Sequence, residues 1–253
     1  MPAVAQFPIR PVREVSPQAL ADQLARPARA LARRPLAGVE APRQLTFGPG
    51  DTLYFDGDIA LHFFEIVSGT VRCCRLTPDG RRQIYRFADA GDMLGLGGEI
   101  EHGHAAEAVT KVVARRHRLP GLDAALARDG QLRERVLGAL REELAAVRLQ
   151  MMLLGRMSAT EKVASFLLAR AARAADPVAC PVACAVACPG ACPGAPVHLP
   201  MTRADIADYL GLTIETVSRK ISELKRLGVI ALNTPTDLCI TRHDRLRAMA
   251  EAA

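Results

Sequence analysis

TRADIADYLGLTIETVSRKISELKRLG, residues 202–228, is the stretch whose reading decides the fold. It reads as two helices joined by a tight turn. Thr202 caps the first, with Asp205 three residues on, and Ile206, Ala207 and Leu210 form its inner face. Gly211 supplies the turn backbone. Thr213 caps the second helix, Val217, Ile221 and Leu224 form its inner face, and Leu227-Gly228 ends it. Counted from Arg203, Ala207 is the fifth residue, Gly211 the ninth and Val217 the fifteenth. A helix-turn-helix needs a small residue, a turn residue and a β-branched apolar residue at those places. Helices crossing this closely leave no room for a large side chain at the fifth.

The outer face of the second helix carries Glu215, Ser218 and Arg219, spaced so that they point the same way. Arg219 can donate two bonds to guanine O6 and N7. Glu215 can accept from cytosine N4 or adenine N6, and Ser218 can touch a thymine methyl or a base edge. The competing reading is a solvated Glu215–Arg219 ion pair. Against it, a carboxylate facing DNA phosphates is costly unless it reads a base. Thr202, Arg203, Thr213, Thr216 and Lys220 lie where phosphates would pass. Residues 229–232 and 238–241, with 233–237 between them, make a small hairpin or wing. Residues 197–201 are a short extended stub.

Upstream, the region 120–173 is helical. Leu137, Leu140, Leu144, Val147, Met151 and Leu154 are spaced 3, 4, 3, 4 and 3, an a/d heptad seam. The bland alternative is an amphipathic helix lying on the preceding domain. A strict 3-4 seam is narrower than a core-facing stripe, which favours a homodimer helix. Ser158 with Glu161 is a capping box for a second helix.

Earlier still, residues 43–119 read as short β segments near 44–47, 52–55, 61–68, 70–76, 83–87 and 108–115, punctuated by glycine turns. Asp79-Gly80 is the strongest hairpin signal among them. Seven of the ten aromatics fall between Phe47 and Phe87, so only this part of the chain has an aromatic core. That clustering also argues against recognition of single strands by base stacking. Many short strands with regular turns point to a β sandwich or roll.

The chain thus divides into a flexible basic arm (1–42, seven prolines), a β-roll (43–119), a helical segment (120–173), a Cys/Ala/Pro low-complexity linker (174–196) and a DNA-binding domain (197–253). The net charge of the 253 residues is +6, which permits a polyanionic partner without proving one. Residues 197–253 hold eight Lys/Arg against seven Asp/Glu, so specificity there rests on particular side chains and not on bulk charge. The longest uncharged stretch, 177–197, contains five prolines, which excludes a spanning helix. No secretory signal precedes the chain's first domain, so a cytoplasmic protein with reduced thiols is expected, with no membrane partner.

Two constellations invite other functions. Cys180, Cys184, Cys188 and Cys192 repeat every four residues. Metal sites usually use Cys-x2-Cys, and Pro181, Pro189 and Pro193 break any helix that would align the sulfurs. A tolerated loop expansion is the plain reading, and a redox- or metal-responsive switch is the alternative. Cys73-Cys74 are adjacent in a strand, which predicts one core and one surface thiol. His102, His104 and Glu107 evoke a cupin-like metalloenzyme, but the later His117 is badly spaced, and 101–107 reads as an exposed loop. The enzyme reading yields to a non-enzymatic regulator, and the Cys repeat keeps its two readings, loop expansion or switch.

Three segments, LPMTRADIADYLGLTIETVSR (199–219), LLGRMSATEKVASFLL (153–168) and GDMLGL (91–96), carry a resemblance to the CRP/FNR family of transcription regulators, and most to its FixK branch. It covers roughly residues 43–250 apart from the Cys-rich insert. The resemblance implies an α+β architecture: an N-terminal double-stranded β-roll of the jelly-roll, cyclic-nucleotide-binding type, a long dimerisation helix and a C-terminal winged helix-turn-helix. It also implies a homodimeric activator that binds a TTGAT-type palindrome in double-stranded DNA through Glu215, Ser218 and Arg219, with RNA polymerase as a further partner. The departures bear on cofactors. Residues 1–72 hold none of the cysteines of an FNR-type iron–sulfur centre. Where the Arg-Ser pair that meets the cyclic AMP phosphate should fall, the chain has Ala105-Ala106-Glu107, and Glu99 alone cannot replace it. No cofactor is expected.

Overall fold

A computed structural model of the chain describes residues 42–97, 100–174 and 195–251. Eight strands build the N-terminal part: β1 (Arg43–Phe47), β2 (Thr52–Tyr54), β3 (His62–Ser68), β4 (Val71–Leu76), β5 (Arg82–Ala88), β6 (Met93–Leu94), β7 (Ala105–Ala108) and β8 (Val112–Arg118). They form two four-stranded antiparallel sheets, ordered β1-β8-β3-β6 and β2-β7-β4-β5. Their inner faces bury Phe64, Ile66, Val71, Cys73, Leu94, Ala106 and Val112 in one core. Val112 and Ala114 of β8, two residues apart, turn to this core, while His117 lies on the strand's other face and stacks on Phe63.

The single strand expected at 108–115 is two. β7 belongs to one sheet and β8 to the other, and the chain crosses between them at residues 109–111. Val109 N–H donates to the Thr70 carbonyl at the crossing. The crossing passes hard against Gly69, whose φ is +90° and where a Cβ would lie 2.3 Å from the Lys111 carbonyl oxygen. Only glycine fits there.

Cys73 and Cys74 do point to opposite faces, but both are buried. A β-bulge separates them. Cys73 faces the roll core, and Cys74 faces Ile84, Phe87 and the C-terminal helices, which cover the sheet's outer side. The predicted surface thiol is thus under a second domain. Burial pushes the thiols up to about 12 and about 11. The exposed loop expected at 101–107 is likewise corrected. His102 is buried and its ring stacks on Tyr54 at 3.9 Å, and residues 105–108 are strand β7. Tyr54 Oη lies 2.6 Å from His104 Nε2, and burial drives His104 down to about 4. Glu107 is bound to Arg72. His102, His104 and Glu107 therefore face other partners, and among the described residues no group of His, Cys, Asp and Glu could hold a metal.

Three helices follow: α1 (Leu122–Arg128), α2 (Gly130–Gly155) and α3 (Ala159–Ala174). Asp129 ends α1 and caps α2, its carboxylate accepting from Gln131 and Leu132 N–H. Ser158 and Glu161 exchange the two bonds of a capping box at α3. Leu132 and Val136 of α2 pack on Phe63 and Met93, and Arg135 Nη2 donates to the buried Glu65 of β3 at 2.6 Å. The 26 residues of α2 span about 39 Å at 1.5 Å each. No helix among the described residues is long and apolar enough to cross a membrane.

The C-terminal part comprises β9 (Ala195–His198), α4 (Arg203–Leu210), α5 (Ile214–Arg226), β10 (Ile230–Leu232), β11 (Asp237–Ile240) and α6 (His243–Ala250). The extended stub is β9, and it completes a three-stranded sheet ordered β10-β11-β9. A second core joins this part to α3 and to Ile84 and Phe87 of β5.

Candidate nucleic-acid interface

The α4–turn–α5 unit is built as its residue spacing demands. Thr202 and Asp205 form a reciprocal capping box at α4. Ala207 is buried in the α4–α5 crossing beside Val217, Ile221 and Leu224. Gly211 adopts φ +61°, and a Cβ there would meet the end of the Leu154 side chain at 2.8 Å. Thr213 accepts from Thr216 N–H to cap α5. Four of the apolar side chains at this crossing are 3% exposed or less, so α5 has one buried face and one free face.

The free face holds Glu215, Ser218 and Arg219, all exposed. Glu215 and Arg219 form no ion pair with each other among those of the described residues. The Glu215 carboxyl is held below the ordinary carboxylate range by its own backbone N–H and the Thr213 hydroxyl. It is therefore anchored at the N-terminus of α5, while the Arg219 guanidinium lies near enough to Glu223, one turn on, to help hold that carboxyl down. An exposed carboxylate acceptor, a hydroxyl and a guanidinium on one helix face match the donor and acceptor edges of base pairs in a major groove.

The five residues expected at phosphates are less uniform. Thr213 and Thr216 share a hydroxyl–hydroxyl bond of 3.0 Å at the start of α5, next to Glu215. Lys220 is tied to Glu223 at 2.9 Å along the same helix. Thr202 is occupied in its cap, its hydroxyl donating to Asp205. Arg203 leaves this cluster: its Nη2 donates to the Pro235 carbonyl at 3.0 Å, bracing the turn of the wing. The wing turn is further knitted by Thr234, Thr236 and Asp237.

On α2, most heptad positions lie away from the roll, and Leu140 packs at the edge of the Phe63–Met93 cluster. Leu137, Leu144, Val147, Met151 and Leu154 are exposed in the single chain, and Leu140 is half-buried. The adjoining face (Leu132, Val136, Leu149, Leu153) is the one that packs. The seam is therefore not the stripe that holds α2 on its own domain. Cys180, Cys184, Cys188 and Cys192 lie outside the described residues, as does the arm before Pro42.

Several residues that shape this unit carried no signal in the sequence. Gln150 of α2 donates to the Tyr209 carbonyl, and the buried Lys162 of α3 donates to the Leu210 carbonyl at 3.2 Å. Both satisfy carbonyls at the C-terminal end of α4, which an isolated helix leaves open. Arg72, Arg82 and Gln83 of the roll bind α4 from the other side. These contacts join residues 48–133 positions apart, which no local pattern reveals.

A family model for the Crp-like helix-turn-helix domain matches residues 161–249, and one for the cyclic nucleotide-binding domain matches residues 44–129. The chain is 40% identical over 190 residues to the nitrogen fixation regulation protein FixK of Bradyrhizobium diazoefficiens, covering 75% of each. It is 33% identical over 201 residues to the transcriptional activator protein FnrL of Cereibacter sphaeroides, covering 79% of this chain and 77% of that one. The structure of FixK2 from Bradyrhizobium japonicum superposes with a TM-score of 0.73 at 32% identity, covering 85% of this chain and all of that one.

Proposed function

The chain belongs to the CRP/FNR family of transcription regulators, and on that premise we propose that it acts as a homodimer on a TTGAT-type inverted repeat. Its helix-turn-helix binds double-stranded DNA, and like its relatives it is a regulator and not an enzyme. Glu215, Ser218 and Arg219 read the bases. Thr213, Thr216, Lys220, Thr202 and Arg203 face the phosphates, the last also holding the wing. Leu137, Leu140, Leu144, Val147, Met151 and Leu154 pair two copies of α2, so that two α5 helices enter successive major grooves about 34 Å apart. The protein works in the cytoplasm as an activator, with RNA polymerase as its second partner.

One observation carries the reading: three complementary side chains stand exposed on one face of α5, and the two charged ones are not spent on each other. A reading without a cofactor is supported by what fills the roll. Tyr54, His102, His104 and Tyr85 pack together beside β7, and Glu107 is engaged by Arg72. A mobility shift on a TTGAT palindrome tests the function. Wild type should prefer it over scrambled DNA, and Arg219→Ala should lose about 1–3 kcal/mol of that preference. Undiminished preference in Arg219→Ala would refute the role given to Arg219.

A further inference from the structure

We propose that Arg72 and Arg82, on the roll, are positioning residues for DNA recognition: they lock the rotation of α4, and so the spacing of half-sites the protein accepts. The inference rests on the homodimeric, palindrome-binding reading above. Asp205 of α4 is 1% exposed. Its Oδ1 receives Arg72 Nη1 at 3.1 Å and Arg82 Nη2 at 2.7 Å. Its Oδ2 receives the Thr202 N–H and hydroxyl. One buried carboxylate therefore joins the roll to the capping turn that opens the helix-turn-helix. One turn along α4, Arg82 Nε donates to Asp208 at 2.9 Å, and Gln83 Nε2 donates to the Asp208 carbonyl at 2.7 Å. Arg72 is itself fixed from behind by Glu107 of β7, at 2.7–2.8 Å.

The remaining contacts between roll and α4 are apolar, centred on Ile84, Phe87 and Tyr209. Apolar contact resists separation but is non-directional, and allows sliding and rotation. Charge-assisted bonds from planar guanidiniums resist both, because their geometry is directional. The two arginine side chains are 20% and 26% exposed, so solvent screens them less than a surface pair. The clamp does not cover the reading face, since Glu215, Ser218 and Arg219 remain exposed. It acts by orientation. A dimer that binds two half-sites needs both α5 helices at fixed separation. A fixed pose raises the effective concentration of the second helix once the first has bound. A single half-site gains nothing from that.

This difference supplies the test. Wild type, Arg72→Gln/Arg82→Gln and Asp208→Asn full-length proteins are titrated by fluorescence anisotropy onto three DNAs. These are the TTGAT palindrome at the spacing wild type prefers, the same palindrome lengthened by one or two base pairs, and a single half-site. The double variant should lose about tenfold on the palindrome, keep its half-site affinity, and bind the lengthened palindromes about as well as the original. Asp208→Asn should move the same way by less. Equal losses on palindrome and half-site would mean a merely structural role and would overturn the proposal. Unchanged spacing preference, or tighter palindrome binding, would overturn it too. If the double variant does not fold by circular dichroism, Arg82→Lys and Asp208→Asn decide by the same criteria. Wild type without any palindrome preference would overturn the functional reading itself, and the clamp proposal with it.

Discussion

Leu144→Ala should weaken the dimer about 10- to 150-fold while barely touching the folded protomer. Full burial of a leucine side chain is worth about 1.5–3 kcal/mol. In the single chain Leu144 is still 51% exposed, so about half of that gain is left for the partner. A two-fold interface contains the residue twice, which brings the expected loss to about 1.5–3 kcal/mol of dimer. At 1.4 kcal/mol per decade this is about one to two decades in dissociation constant. Leu132 is the contrasting position, 1% exposed on the packed face of the same helix and set against Phe63. Leu132→Ala should cost about 2–5 kcal/mol of fold stability, with little effect on association of what remains folded. Sedimentation equilibrium over a dilution series measures the first quantity and thermal melting the second. An unchanged dissociation constant for Leu144→Ala, or a wild type that stays monomeric at micromolar concentration, would show that the seam does not pair two copies.

Gly211→Ala should destabilise the helix-turn-helix by about 1–2 kcal/mol from the left-handed backbone alone, with a further cost against Leu154 that Leu154→Ala relieves in a double-mutant cycle read by thermal melting. Burial pushes Glu65 up, but the facing His117, Arg135 and Arg115 more than offset it, and its carboxyl titrates below the ordinary range. Its contribution to stability is therefore complete above the unfolded value near about 4.3 and is lost as pH falls through the folded one. Glu65→Gln should flatten the urea-denaturation stability profile on the acid side, and an unaltered slope would contradict this. Cys73 and Cys74, buried and with pKa values pushed to about 12 and about 11, should escape iodoacetamide at pH 8 in the native protein and react after unfolding, as peptide mass spectrometry would show.

The helix-turn-helix was legible because its constraints are local. A cap three residues from its partner, a small residue at the crossing and a glycine at the turn all act within one or two turns of helix, and each leaves its mark in consecutive residues. The heptad seam was legible for the same reason. Less was legible in the roll. Residues 108–115 look like one strand because nothing in their pattern marks where the chain leaves one sheet for the other. That change is made by Thr70 and Gly69, some forty residues earlier. His102 has the composition of a loop around it, and it is the ring of Tyr54 and the backbone at Gly95, both distant in sequence, that close over it.

Arg72, Arg82, Gln83 and Asp208 read as ordinary surface residues on their own segments, and Asp205 as nothing more than the partner of its cap. Their roles arise from the docking of one domain on another. Apolar periodicity and turn chemistry repeat along the chain, so the amino-acid sequence by itself determines the β-roll, the long helix, the winged helix-turn-helix and the three side chains left exposed on the free face of α5. Charge pairing between domains obeys no period. Which sheet a strand joins, which thiol is covered and which arginine grips α4 were decided only when tertiary packing brought those residues into contact.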